Sequence, residues 1–133
     1  MIFSRKAETL CVIGCGRGFS TLARGLGLKI KKGKSHIAVI GERQVKSKVS
    51  AEVVFFPDTS AVSFSAVFAV SAGMGEKSTL CFSSVGDTKA LLCVRRKVDF
   101  FGSEIEPREV EVDIIKNLTV YENMVFGFLS HFL

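Results

Sequence analysis

The sequence predicts an α/β fold with a parallel β-α-β core, extended by antiparallel strands and closed by a C-terminal helix. In the first half, short apolar runs rich in β-forming residues alternate with a segment of helical spacing. That order is typical of parallel strands joined by crossover connections. In the second half, short strand-like runs are separated by turn signals, a pattern typical of antiparallel strands.

Length and composition indicate one packed domain. The 133 residues are 47% hydrophobic and 23% charged, with a mean hydropathy of +0.34, which excludes disorder as a description of the whole chain. We expect a single domain over residues 1–133. It comprises a parallel glycine-loop half at 8–58, an antiparallel strand-rich half at 59–116 and a helix at 118–133.

The first predicted elements are a strand and a helix. Residues 9–13 (TLCVI) are apolar and are followed by closely spaced glycines, which predicts a buried strand ending in a tight loop. Apolar residues then recur at helical spacing, namely Leu22, Ala23, Leu26 and Leu28. They predict a helix over about residues 20–30, capped by Ser20 or Thr21.

Two further strands complete the predicted parallel half. Residues 36–40 (HIAVI) form a compact apolar run before Gly41, and residues 52–56 (EVVFF) form another that ends at Pro57. Such short apolar runs are typical of strands buried on both faces. The polar stretch 42–50 between them predicts a short helix or a loop.

The second half contains four predicted strands, at residues 63–70, 79–83, 90–94 and 109–114. Gly86 and Asp87 form a turn signal between the second and the third, so these two form a hairpin. Its register sets Cys81 opposite Leu92 or Cys93, depending on whether the turn has two or three residues. A disulfide and simple packing of the thiols both stay open.

The C-terminal segment is almost continuously apolar. Residues 118–133 carry apolar side chains at most positions, which predicts a final helix with one broad buried face. Because so few of its residues are polar, this helix also allows a homodimer contact.

The cysteines indicate a reducing compartment. The chain has four of them, and we expect no export signal because Glu8 interrupts the short apolar stretch before Cys15. No run reaches the roughly 18 apolar residues of a membrane-spanning helix. We therefore expect a cytoplasmic protein with free thiols and no membrane contact. With two histidines and no C-x-x-C pair, no metal site is expected.

The glycine loop between the first strand and the first helix is the main candidate site. A strand that ends in Gly14, Gly16 and Gly18 and leads into a helix presents backbone N–H groups and the positive end of the helix dipole to one point. A phosphate or carboxylate is the natural occupant of such a point. A purely structural explanation also stays open, in which the glycines serve only a tight crossover.

The loop resembles motifs of three kinds of protein. Residues 14–23 (GCGRGFSTLA), with Glu42 just past the second predicted strand, resemble the first glycine motif of S-adenosylmethionine-dependent methyltransferases. Gly14, Gly16 and Glu42 also resemble the dinucleotide fingerprint. Both resemblances imply a Rossmann-like core, with the glycines on a phosphate or on S-adenosylmethionine and Glu42 on ribose hydroxyls.

Residues 15–21 (CGRGFST) are similar to the phosphocysteine loop of sugar phosphotransferase enzyme IIB proteins. That resemblance implies a phosphoryl carrier with Cys15 as the nucleophile, activated by the helix N-terminus and by Arg17.

Charge is unevenly distributed along the chain. Residues 1–50 hold eleven Lys and Arg against two acids, whereas residues 51–133 hold seven against eleven. The densest basic run is Lys29, Lys31, Lys32 and Lys34 with His36. Because no aromatic residues interleave with it, we interpret it as a solvated helix end and expect no nucleic-acid partner.

A second glycine-containing stretch resembles a P-loop only in outline. Residues 73–79 (GMGEKST) are followed by a predicted strand rather than a helix, so they are interpreted as a connection between strands.

The sequence therefore predicts a small cytoplasmic domain that binds a small anionic ligand, nucleotide-like or phosphate-bearing, at the glycine loop. The expected ligand-binding residues are Gly14, Gly16, Arg17, Gly18, Ser20, Glu42 and Asp58. Asp58 is included because it follows a parallel strand at the carboxyl end, where open sheets bind ligands. A phosphoryl carrier using Cys15 and a non-enzymatic interaction or scaffold protein that dimerises are the alternatives.

Overall fold

A computed structural model describes residues 8–43, 48–60 and 62–133 and has the predicted mixed α/β fold, with a sheet that is mostly parallel. The elements in chain order are β1 (Thr9–Ile13), α1 (Arg17–Gly25), β2 (Lys29–Ile30), β3 (Lys34–Ile40), β4 (Val49–Pro57), β5 (Phe64–Ala72), β6 (Leu80–Val85), β7 (Lys89–Val94), β8 (Val98–Phe100), β9 (Ser103–Ile105), β10 (Arg108–Asp113) and α2 (Val120–Phe132). The eight-stranded sheet has the order β10-β7-β6-β5-β4-β3-β1-β2, and β8 pairs with β9 alone.

The direction of β5 corrects the sequence analysis, which placed residues 63–70 in the antiparallel half. β5 runs parallel to β4, with pairs from Val49–Phe64 to Pro57–Ala72. Antiparallel pairing begins only between β6 and β7. The prediction was wrong because the side-chain period of two is the same in parallel and antiparallel strands.

The strands β4 and β5 are bent. Residues 58–63 alone connect them, and the seven Cα–Cα steps from Pro57 to Phe64 span at most about 25 Å, hardly the length of a straight nine-residue strand, about 26 Å between its end Cα atoms. The rings of Phe56 and Phe64 nevertheless have centroids only 5.1 Å apart. In straight strands of this register they would lie more than about 20 Å apart.

The bend lies at one set of residues that face one another across three neighbouring strands, which we call a row. The continuous pairing of β3 with β4, and of β4 with β5, is interrupted at His36, Glu52 and Val67. Inside the bend lies a small apolar cluster, separate from the main core, made of Cys11, Ala38, Ile40, Val49, Ala51 and Val54, against which Ile13, Phe56, Val62, Phe64 and Ala66 pack. On its outer side Val67 is 87% exposed.

The main core lies between the sheet and the two helices. Phe128 of α2 is fully buried there, and its ring contacts Phe55 and Phe100 at centroid distances of 5.5 and 5.4 Å. The final helix is confirmed, since α2 occupies Val120–Phe132. Because the buried side of α2 faces the chain's own core, the structure does not support the expected homodimer contact.

Helix α1 begins earlier than predicted. It starts at Arg17 with Gly16 as its N-cap, and no side chain caps it, so the prediction of a Ser20 or Thr21 cap is wrong. It ends before Gly27, which has a φ of 84°, a conformation that glycine adopts cheaply. Residues 44–47 of the polar stretch 42–50 lie outside the described residues.

Candidate functional site

The glycine loop lies at the carboxyl end of β1, and a side chain from the other end of the chain reaches it. The backbone N–H of Gly16 donates to Glu122 Oε2 at 2.6 Å. Glu122 Oε1 accepts from the N–H of Thr119 at 2.9 Å, while the Thr119 hydroxyl accepts from the N–H of Glu122. This capping box begins α2. The carboxylate thus lies at the N-termini of both helices and is only 4% exposed.

The other predicted residues of the loop lie around this contact. Arg17 and Gly18 are exposed in the first turn of α1, and Ser20 lies within the helix rather than at its cap. Glu42 is exposed, and its negative charge lies close enough to the loop to raise the pKa of Cys15.

Cys15 is held as a thiol. Burial, followed by the charges of Glu122 and Glu42, raises its pKa to about 12. A phosphocysteine loop needs a thiolate, which forms where positive charge lowers the pKa. The surroundings of Cys15 act in the opposite direction and give the phosphoryl-carrier alternative no support.

This environment predicts slow alkylation of Cys15. With a pKa of about 12 instead of 9.0, the thiolate fraction at neutral pH is about a thousandfold lower than that of an ordinary cysteine. We expect iodoacetamide to label Cys93, which is half-buried, before Cys15, with the rate at Cys15 rising about tenfold per pH unit. Peptide mass spectrometry over a time course measures both rates. Labelling of Cys15 as fast as a free cysteine at neutral pH would contradict the assigned environment.

The second glycine stretch surrounds another carboxylate of the chain. The N–H of Gly75 donates to Asp58 Oδ2 at 2.9 Å, and a Cβ added at Gly73 would lie 2.4 Å from the Asp58 carboxyl group. Ser78 Oγ lies 2.8 and 2.7 Å from the carbonyl oxygens of Gly73 and Gly75. Strand β6 follows at Leu80, so this loop is the predicted connection between strands.

The structure therefore separates Asp58 from the residues it was expected to join. Its hydrogen bond goes to Gly75 in the β5–β6 connection, whereas the Gly16 N–H is bonded to Glu122. In the part of the chain that the structure describes, each glycine loop binds an internal carboxylate.

In the described part of the chain, the strand order provides no switch point at the carboxyl ends of the parallel strands. At a switch point the strand order reverses, which forms the crevice where open sheets bind ligands. Here β3, β4 and β5 follow β1 on one side, and β2 pairs only with Thr9 and Leu10, at the amino end of β1. Within residues 8–43, 48–60 and 62–133, no neighbouring strand extends along the other side of β1 to its carboxyl end.

A cleft does lie at the amino ends of the parallel strands. It has a volume of about 530 Å³, and the charged and hydroxyl side chains among its lining residues are Thr9, Lys31, Lys34, Ser35, His36, Ser50, Glu52 and Ser65. The register pairs Lys34 with Ser50 and Ser50 with Ser65. Residues paired in this way point to the same face of a sheet, so one ammonium and two hydroxyls form a row. We call this site the basic cleft.

His36 presents a defined donor at the basic cleft. The ring Nδ1 of His36 accepts hydrogen bonds from the backbone N–H groups of Glu8 and Thr9 at 3.2 and 3.1 Å. The backbone N–H of His36 donates to the Thr9 hydroxyl at 3.0 Å. Because Nδ1 is an acceptor, this hydrogen-bond network assigns the proton to Nε2. The ring therefore carries an Nε2–H donor.

The charge of the basic cleft is positive. Lys31 and Lys34 line it together with the single carboxylate of Glu52, and among the described residues the ion pairs involve Lys89 and Lys97 instead. The interpretation of these lysines as a solvated helix end is wrong, because they lie at β2, β3 and the turn between them. Ser50 and Ser65 were not among the predicted site residues, since only the parallel register sets them beside Lys34.

Among the described residues, no group of three or more His, Cys, Asp or Glu side chains is placed to hold a metal ion. No helix in the described ranges has the length and apolar character needed to cross a membrane. Comparison with protein-family models, curated proteins and solved structures finds no match to this chain.

Proposed function

We propose that this chain is a small ligand-binding domain and that its ligand carries a phosphate or carboxylate group bound in the basic cleft. The row of Lys34, Ser50 and Ser65 beside the Nε2–H of His36 carries this proposal. These side chains differ in length and all donate hydrogen bonds, and a single oxyanion accepts hydrogen bonds from several donors at once. Hydrogen bonds with a charged partner are about twice as strong as neutral ones.

Glu52, which also lines the basic cleft, restricts the class of ligand that the cleft can bind. Glu52 belongs to the same row as His36 and lines the cleft as its only carboxylate. A carboxylate accepts hydrogen bonds and repels a second negative charge. A ligand with hydroxyl or amine groups next to its anionic group fits this arrangement better than a purely anionic one.

This proposal keeps the ligand class expected from the sequence and moves its position. A nucleotide-like or phosphate-bearing molecule, with S-adenosylmethionine among the candidates, stays the expectation. Its anionic group is assigned to the basic cleft because the N–H of Gly16 is already bonded to Glu122. The Rossmann-like character of the unit formed by β1, α1 and β3 stays a prediction and is not needed for this assignment.

Binding is tested with inorganic phosphate and a panel of nucleotides. A ligand that binds only the folded chain raises Tm in proportion to the logarithm of its concentration. We expect Lys34→Ala to weaken binding by about tenfold to a hundredfold, since a hydrogen bond to a charged group contributes about 1.5–3 kcal/mol. Lys32→Ala is the matched control, because Lys32 is exposed and not among the cleft residues. Isothermal titration calorimetry gives the affinities.

Arg17→Ala decides between the two positions. If binding is lost in Arg17→Ala and kept in Lys34→Ala, the ligand lies at the glycine loop and the proposal is contradicted. Equal losses in Lys32→Ala and Lys34→Ala would also contradict it, because they would indicate attraction by net charge alone.

A further inference from the structure

Two cysteines face each other on neighbouring strands, far from the basic cleft in sequence. Cys81 of β6 is paired with Cys93 of β7, which confirms one of the two registers expected for this hairpin, and both thiols are free. Two residues along, the N–H of Arg95 donates to the carbonyl oxygen of Thr79 at 2.8 Å.

The spacing of this cysteine pair suits a disulfide. Hydrogen-bonded and non-hydrogen-bonded pairs alternate along an antiparallel ladder, so the Cys81–Cys93 pair is of the hydrogen-bonded type, with its Cα atoms about 5.5 Å apart. Disulfides bridge Cα atoms about 4.4–6.8 Å apart. Because Cβ atoms in such a pair are about 5 Å apart and those of a disulfide about 4 Å apart, the bond also needs the backbones of the two strands to approach locally.

We propose that Cys81 and Cys93 form a reversible redox site, oxidised to an intramolecular disulfide by small-molecule disulfides of the glutathione type. Accessibility assigns the two roles. Cys93 is half-buried whereas Cys81 is 3% exposed, so Cys93 meets the oxidant and Cys81 completes the bond.

The reaction is a pair of thiol–disulfide exchanges. The Cys93 thiolate attacks one sulfur of oxidised glutathione, which forms a mixed disulfide and releases one glutathione thiolate. The Cys81 thiol loses its proton to solvent and attacks the Cys93 sulfur, which releases the second glutathione. Two protein thiols are oxidised, and one molecule of oxidised glutathione is reduced to two thiols.

Neighbouring groups set the rate. Burial, the adjacent Cys81 and the charge of Glu109 raise the pKa of Cys93, and Arg95 opposes them. Glu109 of β10 is paired with Cys93 across the ladder. Because the thiolate is the attacking species, we expect oxidation to be slow at neutral pH and faster in Glu109→Gln, by less than burial and Cys81 slow it.

The disulfide would cross-link the strands on either side of the β6–β7 turn. Arg95 follows β7, and its guanidinium donates to the carbonyl oxygen of Gly75 at 2.7 Å. Oxidation would thus tighten the segment that holds the loop around Asp58.

The full chain is incubated with oxidised glutathione, quenched with acid and analysed by intact and peptide mass spectrometry. We expect the mass of two hydrogen atoms to be lost, the peptides of Cys81 and Cys93 to be cross-linked, and free thiols in denaturant to fall from four to two. A thiol reductant restores all four. Mapping the link in the wild-type chain does not depend on how any variant folds.

Two variants and one alternative outcome complete the test. Cys81→Ser should retain glutathione on Cys93, because the resolving thiol is gone. Cys11→Ser should leave the Cys81–Cys93 link unchanged, because Cys11 lies in β1, which β5, β4 and β3 separate from β6 in the sheet. A wild-type chain that accumulates only the glutathione adduct, or that links Cys93 to a second chain, would overturn the proposal.

Discussion

Replacing Gly41 by alanine is expected to lower the free energy of unfolding by about 3 kcal/mol or more. A Cβ at this position would lie 1.9 Å from the carbonyl oxygen of Gly14 and 2.6 Å from the backbone nitrogen of Cys15. The N–H of Gly41 also donates to the carbonyl oxygen of Ile13 at 2.6 Å. Backbone atoms cannot rotate away from a methyl group, so the ends of β1 and β3 have to separate. Urea unfolding followed by circular dichroism measures the loss.

Gly25→Ala is the matched control. Gly25 is the last residue of α1 and has nothing within 4 Å of an added Cβ, and alanine favours a helix over glycine by up to about 1 kcal/mol. We expect no loss of stability in this variant. A Gly41→Ala chain as stable as Gly25→Ala would show that β1 and β3 do not approach each other this closely.

Elements defined by local patterns could be predicted from the sequence. The run at Thr9–Ile13 is apolar, β-rich and ended by Gly14, and β1 has those bounds. The apolar tail gave α2 correctly, because a helix buried on a broad face needs apolar residues at most positions. In both cases the deciding information lies within a few residues of the element itself.

Features set by distant contacts could not be predicted in this way. The bend at His36, Glu52 and Val67 depends on three strands aligned in register, and none of the three positions carries a turn residue. For the same reason only part of the basic cleft could be predicted. Its lysines form a run in the sequence, whereas Ser50 and Ser65 lie near them only because the strands pair in the sheet.

The glycine loop is the clearest case in which a local sequence pattern does not identify the binding partner. Glycines before a helix predict an anion, but the pattern is the same whether that anion is a ligand or a side chain of the protein. The partner of Gly16 is Glu122, 106 residues away. One signal was present in the sequence: Thr119 and Glu122 have the spacing of a capping box, which marks Glu122 as a residue at a helix start.

Glu122→Ala is expected to lower the free energy of unfolding by about 3–4 kcal/mol, because it removes hydrogen bonds with a charged acceptor and a helix cap together. The N–H groups of Gly16 and Thr119 lose their partner in a part-buried site. For a chain of this length the expected fall in Tm is about 10–15 °C. Glu122→Gln keeps the shape of the side chain, but its amide can accept from only one of the N–H groups of Gly16 and Thr119. It should therefore lose less stability than Glu122→Ala without matching the wild-type chain, and thermal unfolding compares the two.

Formate and phosphate added to Glu122→Ala then reveal what the glycine loop can bind. If helix N-termini and the N–H of Gly16 make this point an anion site, formate should raise the Tm of Glu122→Ala by several degrees more than that of Glu122→Gln, since only the alanine variant has room for it. No difference between the two variants would mean that the loop needs the tethered carboxylate as part of α2. Rescue by phosphate that disappears in the double variant with Arg17→Ala would mean that Glu122 occupies a site able to hold the ligand predicted from the sequence.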